Sequence, residues 1–459
     1  MFLFLERPQT VSRPFSHPPK PSRRPNPRGG ARPDNCPAAA STTATFFGRM
    51  KSPILKPGRI FCLEEEFTMK TTAMVLAASL AAFVPVQAQA PESAQDMIRK
   101  VESEIVQTIQ IGTSSLKSVA DKLKEMKIPG LSVAVVKGFA VHWAKGYGVR
   151  DSRTGEPVTE ETLFQVASIT KTISAIVTLR LVQDGILDLD RNVNDYLKSW
   201  KVPENEWTKI EKVTLRRILS HTAGLTVSGF RGYAEGEPVP TIIQVLDGVP
   251  PANNGPVRVE RVPGSGFKYS GGGYTILQVL LEDVTGRPLP ELAAEHVFKP
   301  AGMTRSAICL CSAPSLESQA ALGHSKDGAP FKGYTFLQGG SGCCELWTTP
   351  SDLARLVIAL QKSLRGDAGA LLSQSTARKM MDADTQSGAG LGIFIRRFGD
   401  AAYFNHDGGN VGFVSRFLGH PDKGYGLAIV INTDSQGTMI RDLTGAVGSV
   451  YDWEGFAKK

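Results

Sequence analysis

The chain has 459 residues, of which 41% are hydrophobic, and a formal net charge of +8. Residues 1–88 hold 12 Lys and Arg against 5 Asp and Glu, and the rest of the chain holds 40 basic and 39 acidic residues. Almost all of the positive charge therefore lies in the first 88 residues. A nucleic-acid partner, which requires a basic folded surface, is not expected.

The N-terminal residues show two different patterns. Residues 1–68 are rich in Pro, Arg and Ser without core-forming periodicity, which predicts a disordered upstream extension. Met69-Lys70 and the apolar run from Ala73 to Val86 then predict a signal peptide over residues 69–88. A signal peptide belongs at an N-terminus, so we hypothesise that translation starts at Met69. The alternative is a buried or membrane-anchoring helix, although the run is short for a membrane span.

This organisation predicts one folded domain over residues 89–459, exported to the periplasm or secreted, with no stable membrane span after signal cleavage. Export implies an oxidising compartment, in which cysteines form disulfides. One or two bridges are expected between the 309/311 and 343/344 segments, with the pairing left open. Four thiolates could instead hold zinc, but the spacing does not match common zinc patterns. The four cysteines of the predicted domain are Cys309, Cys311, Cys343 and Cys344.

Hydrophobic periodicity predicts alternating helices and strands along the chain. Residues 92–127 have the spacing of one or two helices, and residues 131–136 and 141–149 that of a β-hairpin. A buried helix follows residue 168, with Gly185 as its expected C-cap. A further helix is predicted at residues 213–219, and residues 226–262, rich in Gly and Pro, are expected to form loops bordering a cleft.

Ser168 and Lys171 are the first candidate catalytic residues. Residues three apart share one face of a helix, so the hydroxyl would lie next to the ammonium group. A serine hydroxyl becomes a good nucleophile only when a nearby base accepts its proton, and lysine can do so if its pKa is lowered. The pattern alone is weak, because Ser114 and Lys117 have the same spacing.

Two later segments supply further candidates. Tyr269 lies on a glycine-rich stretch before an apolar helix, a position from which a phenol could transfer protons in a cleft. His221 could also be catalytic, but a histidine at a helix end that bonds to backbone is the favoured interpretation.

The C-terminal third predicts a helix over 353–360, a set of antiparallel strands from residue 391 to 432, and a last helix over 443–450. His406 lies in this strand region. Gly408 and Gly409 follow it and would allow another backbone or a ligand to approach closely. A strand edge there could donate an N–H group to an oxyanion.

Taken in order, Ser168-x-x-Lys171, Tyr269-Ser270-Gly271 and His406-Asp407-Gly408 resemble the motifs of the class C β-lactamase and DD-peptidase family of serine hydrolases. The resemblance covers roughly residues 95–455. It implies an α+β fold, in which an antiparallel sheet is flanked by helices, a mainly helical region is inserted, and the site lies between them.

The resemblance also implies roles for these residues. Ser168 would be acylated, Lys171 would be its base and Tyr269 would relay protons. The backbone N–H groups of Ser168 and Gly409 would form the oxyanion hole, with Gly408 beside it. His406 would occupy the position where β-lactamases have a lysine. Neither a metal nor an organic cofactor is implied.

Two departures from the family pattern concern the substrate. Gly271 replaces the asparagine that usually ends the second motif, and His406, often neutral near pH 7, attracts a carboxylate less than lysine does. The favoured function is hydrolysis of esters or of D-amino-acid amides and peptides. The alternatives are a β-lactamase, a D-Ala-D-Ala carboxypeptidase, and a non-catalytic protein that binds penicillin or peptidoglycan fragments. The sequence leaves the oligomeric state open.

Overall fold

The computed structural model describes residues 92–108, 118–234, 236–331, 342–384, 386–434 and 437–456. The predicted upstream extension, the signal peptide and the alternative Ser114–Lys117 pair lie outside these residues. Contacts divide the chain into residues 1–86 and 87–459, and every described residue belongs to the second unit. Among the described helices, none is both long and apolar enough to cross a bilayer.

The described residues form ten strands and twelve α-helices. The strands are β1 (Gly130–Lys137), β2 (Ala140–Asp151), β3 (Glu156–Pro157), β4 (Phe164–Gln165), β5 (Ala307–Ile308), β6 (Leu346–Thr348), β7 (Phe394–Phe398), β8 (Ala401–Asn410), β9 (Phe413–Gly419) and β10 (Gly426–Ile431). The helices are α1 (Ala94–Thr108), α2 (Val119–Glu125), α3 (Thr170–Gln183), α4 (Glu206–Ile210), α5 (Leu215–Leu219), α6 (Ile242–Asp247), α7 (Gly271–Thr285), α8 (Leu289–Ala293), α9 (Lys299–Ala301), α10 (Pro350–Arg365), α11 (Gln374–Met381) and α12 (Gly437–Val450).

The main sheet has seven strands in the order β3-β2-β1-β10-β9-β8-β7, and the neighbouring strands pair antiparallel. N-terminal strand β1 therefore lies against C-terminal strand β10 in the middle of the sheet. Side chains of successive strand residues point to opposite faces, and both faces of β1 are buried. One face packs in a cluster with residues of α1 and α12, and the other in the larger cluster that includes α3, α7 and α10. This architecture confirms the predicted fold class.

A second, three-stranded sheet in the order β4-β6-β5 places distant segments around residue 168. Strand β4 ends just before this residue, β6 follows Cys343 and Cys344, and β5 precedes Cys309. The mainly helical region between α3 and β5 contains α4 to α9. One helix in it, α6, falls within residues 226–262, where only loops were predicted.

The predicted bridge between the two cysteine segments is wrong for this structure. The disulfide joins Cys309 to Cys311, whose Cα atoms lie 5.2 Å apart, a usual separation for bonded cysteines. Cys343 and Cys344 are buried and keep their thiols. Hydrogen bonds from Lys171 and Asn410 to their carbonyl groups hold this segment at the site described below.

This pairing also removes the zinc alternative. A cysteine ligates zinc as the thiolate, and two of the four sulfur atoms are joined in the disulfide. Within the described ranges, no group of three or more His, Cys, Asp or Glu side chains could hold a metal ion.

Candidate active site

Ser168 lies in a short 3-10 turn, Ala167–Ile169, between β4 and α3. The buried helix predicted to follow this residue is α3, which begins at Thr170. Ala167 has φ of +48°, a left-handed conformation that costs energy for a residue with a side chain. This backbone turn is fixed on both sides: Ser415 Oγ donates to the Val166 carbonyl at 3.0 Å, and Thr170 Oγ1 donates to the Ala167 carbonyl at 2.6 Å.

Lys171 is buried one turn further along, and its ammonium group faces the serine. The Nζ atom lies 3.1 Å from Ser168 Oγ and 2.8 Å from the carbonyl oxygen of Cys343. It also lies 5.1 Å from the ring centre of Tyr269 and 5.7 Å from that of Tyr274. Ser168 is half-buried, so a substrate can reach its hydroxyl. The structure thus brings together the three residues that the sequence analysis singled out.

The pKa of Lys171 decides whether it can act as a base on its own. Burial lowers the pKa of its ammonium group, but the electrostatic influence of Tyr269, Cys343 and Cys344 raises the pKa by more, to above its usual value. Lysine therefore does not meet the condition of a lowered pKa that would make it a base on its own. Closely coupled groups exchange protons as a unit, so the base is better described as the Lys171–Tyr269 pair.

Tyr269 is positioned by two neighbours, His221 and Ser270. The His221 ring stacks on the Tyr269 ring with centres 4.2 Å apart. Its Nδ1 accepts a hydrogen bond from the Ser270 backbone N–H at 3.2 Å. Ser270 Oγ accepts from the Gly273 N–H as N-cap of α7 and donates to the Thr226 carbonyl. Both groups hold the loop that carries Tyr269.

His221 is thus a positioning residue that the sequence analysis undervalued. The predicted contact with backbone is present, but the ring also supports the phenol of Tyr269. Burial lowers the pKa of His221 well below its usual value, and nearby Lys171 and His406 lower it further. In the sequence, His221 lies in Ser220-His221-Thr222-Ala223-Gly224, a segment similar to one found in the family. By itself this segment does not indicate a role for the histidine in catalysis.

Tyr269→Phe should lower the rate of ester hydrolysis by about a hundredfold, the usual size of a general acid–base contribution. Tyr274→Phe is the matched control. The Tyr274 hydroxyl donates to the Leu219 carbonyl, and this carbonyl keeps the Gly392 N–H as a donor when the hydroxyl is removed. Steady-state kinetics on the two variants would measure the difference. A Tyr269→Phe enzyme as fast as the control would remove the phenol from the mechanism.

His406 lies on β8, on the face of the sheet that looks toward α3. Because side chains alternate, Phe404 and Gly408 share this face, and Asp407 points to the other, where it pairs with Arg416. His406 Nδ1 lies 2.7 Å from the Asp407 carbonyl oxygen, to which it donates, and Nε2 is buried and has no hydrogen-bond partner among the residues that the structure describes. Burial, with a contribution from Lys171, lowers the pKa of His406 to about 4.

His406 is therefore neutral at pH 7 and presents a hydrogen-bond acceptor rather than a cation. An unfolded chain takes up a proton on this histidine near its usual pKa of 6.5, and the folded chain does so only near 4. Stability should consequently fall as the pH is lowered from about 6.5 to 4, by at most about 3 kcal/mol from this group.

Chemical unfolding of wild type and His406→Gln at pH 7.5 and 4.5 would test this effect. The variant should lose less stability between the two pH values than wild type, with the remaining loss due in part to His221, whose pKa shift has the same sign. Equal losses in the two proteins would show that His406 is already protonated in the folded state.

The two glycines on β8 differ in function. A Cβ atom on Gly408 would lie 2.2 Å from the Val166 carbonyl oxygen, so this glycine lets β8 approach the turn that carries Ser168. Gly409 is exposed, and a Cβ atom there would meet nothing within 4 Å. Strand β7 pairs with β8 only as far as Asn405, so the edge of β8 beyond it borders the site.

The entrance to the site is aromatic and open. Phe267 is 39% exposed, and its ring lies 6.2 Å from that of Phe394, which in turn lies 6.5 Å from Tyr269. Segments 226–229 and 253–258 line a cavity of about 560 Å³ nearby. The Gly271 N–H donates to the Ser228 carbonyl at 3.1 Å, which ties this cavity to the loop of Tyr269. Part of the stretch predicted to border a cleft thus lines a cavity, but none of Ser168, Lys171 and Tyr269 is among the residues that line it.

The model of the family named Beta-lactamase matches residues 116–448. The chain belongs to this family. Together with the relatives described next, this match identifies the chain as a serine hydrolase of the β-lactamase and transpeptidase superfamily.

Curated relatives and solved structures agree with this assignment. The chain is 26% identical to penicillin-binding protein 4 of Amycolatopsis lactamdurans over 72% of this chain and 89% of that protein. It is 30% identical to esterase EstB of Burkholderia gladioli over 41% of this chain and 49% of the esterase. It spans little more than a third of the Staphylococcus aureus proteins named flp, at 27–28% identity.

The fold is similar to that of a D-amino acid amidase from Ochrobactrum anthropi, with a TM-score of 0.61 at 19% identity over 77% of this chain and 99% of the amidase. An octameric penicillin-binding protein homologue from Pyrococcus abyssi gives 0.58 at 23% identity over 73% and 76% of the two chains. These likenesses establish the fold.

Proposed function

We propose that the chain hydrolyses esters or D-amino-acid amides and peptides through an acyl-enzyme on Ser168. The observation that carries this proposal is the 3.1 Å contact between Ser168 Oγ and Lys171 Nζ, with the ring of Tyr269 beside the lysine. Covalent catalysis needs a nucleophile within hydrogen-bond reach of a group that can take its proton. A non-catalytic binding protein, the alternative of another class, does not need this arrangement.

In the proposed mechanism, Ser168 Oγ attacks the substrate carbonyl and its proton passes to the Lys171–Tyr269 pair. The oxyanion that forms accepts hydrogen bonds from the backbone N–H groups of Ser168 and Gly409. The leaving group takes its proton from the same pair through Tyr269. Water then attacks the acyl-enzyme by the same steps in reverse order and restores the serine.

The polar groups of the site favour substrates without a carboxylate beside the scissile bond. His406 is neutral and buried, and Gly271 has no side-chain amide that could bond to a substrate. The aromatic entrance formed by Phe267 and Phe394 fits an apolar substituent. The similarity to esterase EstB and to the D-amino acid amidase supports the same classes of substrate. A β-lactamase or a D-Ala-D-Ala carboxypeptidase is the second candidate, supported by the similarity to penicillin-binding protein 4.

Rates on p-nitrophenyl acetate, D-alanine p-nitroanilide and nitrocefin would rank these activities. We expect the ester or the D-amino-acid anilide to be cleaved faster than nitrocefin, whose carboxylate lacks a cationic partner at residue 406. A nitrocefin rate far above the other two would contradict this ranking.

Export of the enzyme is also proposed, on the basis of the signal-peptide pattern at residues 69–88. N-terminal sequencing of protein collected from the periplasm or the culture medium should find a mature chain that begins after residue 88. A native exported chain that retained residues before Met69 would contradict the proposed start of translation.

A further inference from the structure

We propose that Cys343 and Cys344 form an oxidative modification site that controls the hydrolase. Closure of a disulfide between these neighbouring residues would turn away the carbonyl group that holds Lys171. The inference rests on the proposed function, because hydrolysis is the activity that the modification would lower.

The two thiols are buried beside the catalytic lysine. Their Sγ atoms lie 3.0 Å apart, and the residues are 1% and 5% exposed. Cys309 and Cys311 form the disulfide within the described residues, while Cys343 and Cys344 remain as thiols. A pair of thiols in contact needs little side-chain movement to form a bond.

The backbone of this segment is hydrogen-bonded to α3 and β8 through consecutive carbonyl groups. The Gly342 carbonyl accepts from Ser174 Oγ at 2.7 Å, and the Cys343 carbonyl from Lys171 Nζ at 2.8 Å. The Cys344 carbonyl accepts from Asn410 Nδ2 at 3.1 Å. A change in the conformation of this segment therefore acts directly on Lys171.

The covalent geometry of adjacent cysteines makes such a change necessary. A bond between the sulfur atoms of sequence neighbours closes a small ring that includes the peptide group joining the two residues. The Cys343 carbonyl belongs to that peptide group. A planar trans peptide fits poorly into so small a ring, so closure must twist or rotate the group. Lys171 Nζ then loses an acceptor that holds it next to Ser168.

The oxidation needs an oxidant small enough to reach buried thiols, such as hydrogen peroxide. One thiol is oxidised to a sulfenic acid as the O–O bond of the peroxide breaks, and one water is released. The second thiol attacks the sulfenic sulfur, completes the Cys343–Cys344 bond and releases a second water. The two thiols thus lose two protons and two electrons, which reduce one peroxide to two water molecules.

The test compares reduced full-length protein with the same protein treated with hydrogen peroxide. Peptide mapping should find a bond between Cys343 and Cys344, and kcat for p-nitrophenyl acetate should fall by about tenfold or more, as expected when a catalytic group is displaced. Dithiothreitol should restore the rate. Cys344→Ala cannot form the bond, so treatment with the oxidant should leave its rate equal to that of its own untreated sample.

The double variant Cys309→Ser/Cys311→Ser is the matched control and should stay sensitive to oxidation. The inference would be overturned by any of three results: an unchanged rate in protein that contains the Cys343–Cys344 bond, no such bond after treatment, or equal inhibition of Cys344→Ala. A reduced wild type without hydrolase activity would instead overturn the proposed function and leave the modification nothing to control.

Discussion

Ser168→Ala should reduce hydrolysis of p-nitrophenyl acetate to the background rate, a loss of about four orders of magnitude or more. The methyl group cannot form an acyl-enzyme, and the other groups of the site cannot replace the nucleophile. The fold should be retained, because Ser168 is half-buried and the hydrogen bonds of Val166 and Ala167 hold the turn without its hydroxyl. Steady-state rates and thermal unfolding of the same preparation would measure both effects.

The matched control is Ser114→Ala, which alters the serine of one of the two further Ser-x-x-Lys sequences in the chain, the other being Ser265-Gly266-Phe267-Lys268. This variant should keep the wild-type rate. If Ser168→Ala retained full turnover, the acyl-enzyme mechanism at this residue would have to be abandoned.

Lys171→Met should slow the first turnover by about a thousandfold, near the middle of the range for general acid–base catalysis. Methionine fills a similar volume but can neither share a proton with Tyr269 nor bond to Ser168 Oγ and the Cys343 carbonyl. Rapid mixing with p-nitrophenyl acetate would follow the release of the first equivalent of p-nitrophenol, which reports acylation. Inhibition by product acids should be nearly unchanged, because the lysine acts mainly on the serine.

Lys122→Met provides a control for the loss of a buried lysine. Lys122 is fully buried on α2 and lies 3.6 Å from Asp442, away from the residues of the site. Its replacement should lower stability, because Asp442 then keeps only exposed Arg441 as a cationic neighbour among the described residues, and leave the rate per folded molecule unchanged. A Lys171→Met enzyme that acylates as fast as this control would exclude Lys171 from catalysis.

The sequence predicted the sheet and the principal helices well, because their signals are local. Strand β1 has an apolar run buried on both faces, and α10 begins with Thr349 as N-cap and Pro350 in its first turn. Helix boundaries were less accurate. The helix predicted over 353–360 extends from Pro350 to Arg365, because the residues at its ends are mainly polar and carry no periodic apolar signal.

The residues of the site could be predicted from motif spacing, but the support around them could not. Tyr269 and His406 are far from Ser168 in sequence, and only the pairing of β8 with β9 and the loop before α7 bring them near it. The stacking of His221 on Tyr269 and the bond from Lys171 to the Cys343 carbonyl depend on three-dimensional contacts that leave no local pattern.

The cysteine pairing was mispredicted, and the sequence could not decide the protonation of Lys171. A lowered pKa was only the condition for lysine to be the base, and the sequence contains no sign that Tyr269 and two thiols surround the ammonium group. The bridge was expected between two segments because four cysteines in an exported chain are usually paired. Among the residues that the structure describes, Cys309 is instead bonded to Cys311, and Cys343 lies beside the lysine.

Identification of the acylated residue tests the central claim most directly. Wild-type protein would be mixed with p-nitrophenyl acetate, quenched in acid during the first turnovers, digested and analysed by mass spectrometry. The proposed mechanism predicts an acetyl group on Ser168, and no such adduct on the corresponding peptide of Ser168→Ala. Acetylation of a different residue during productive turnover, or turnover without any covalent adduct on Ser168, would contradict it.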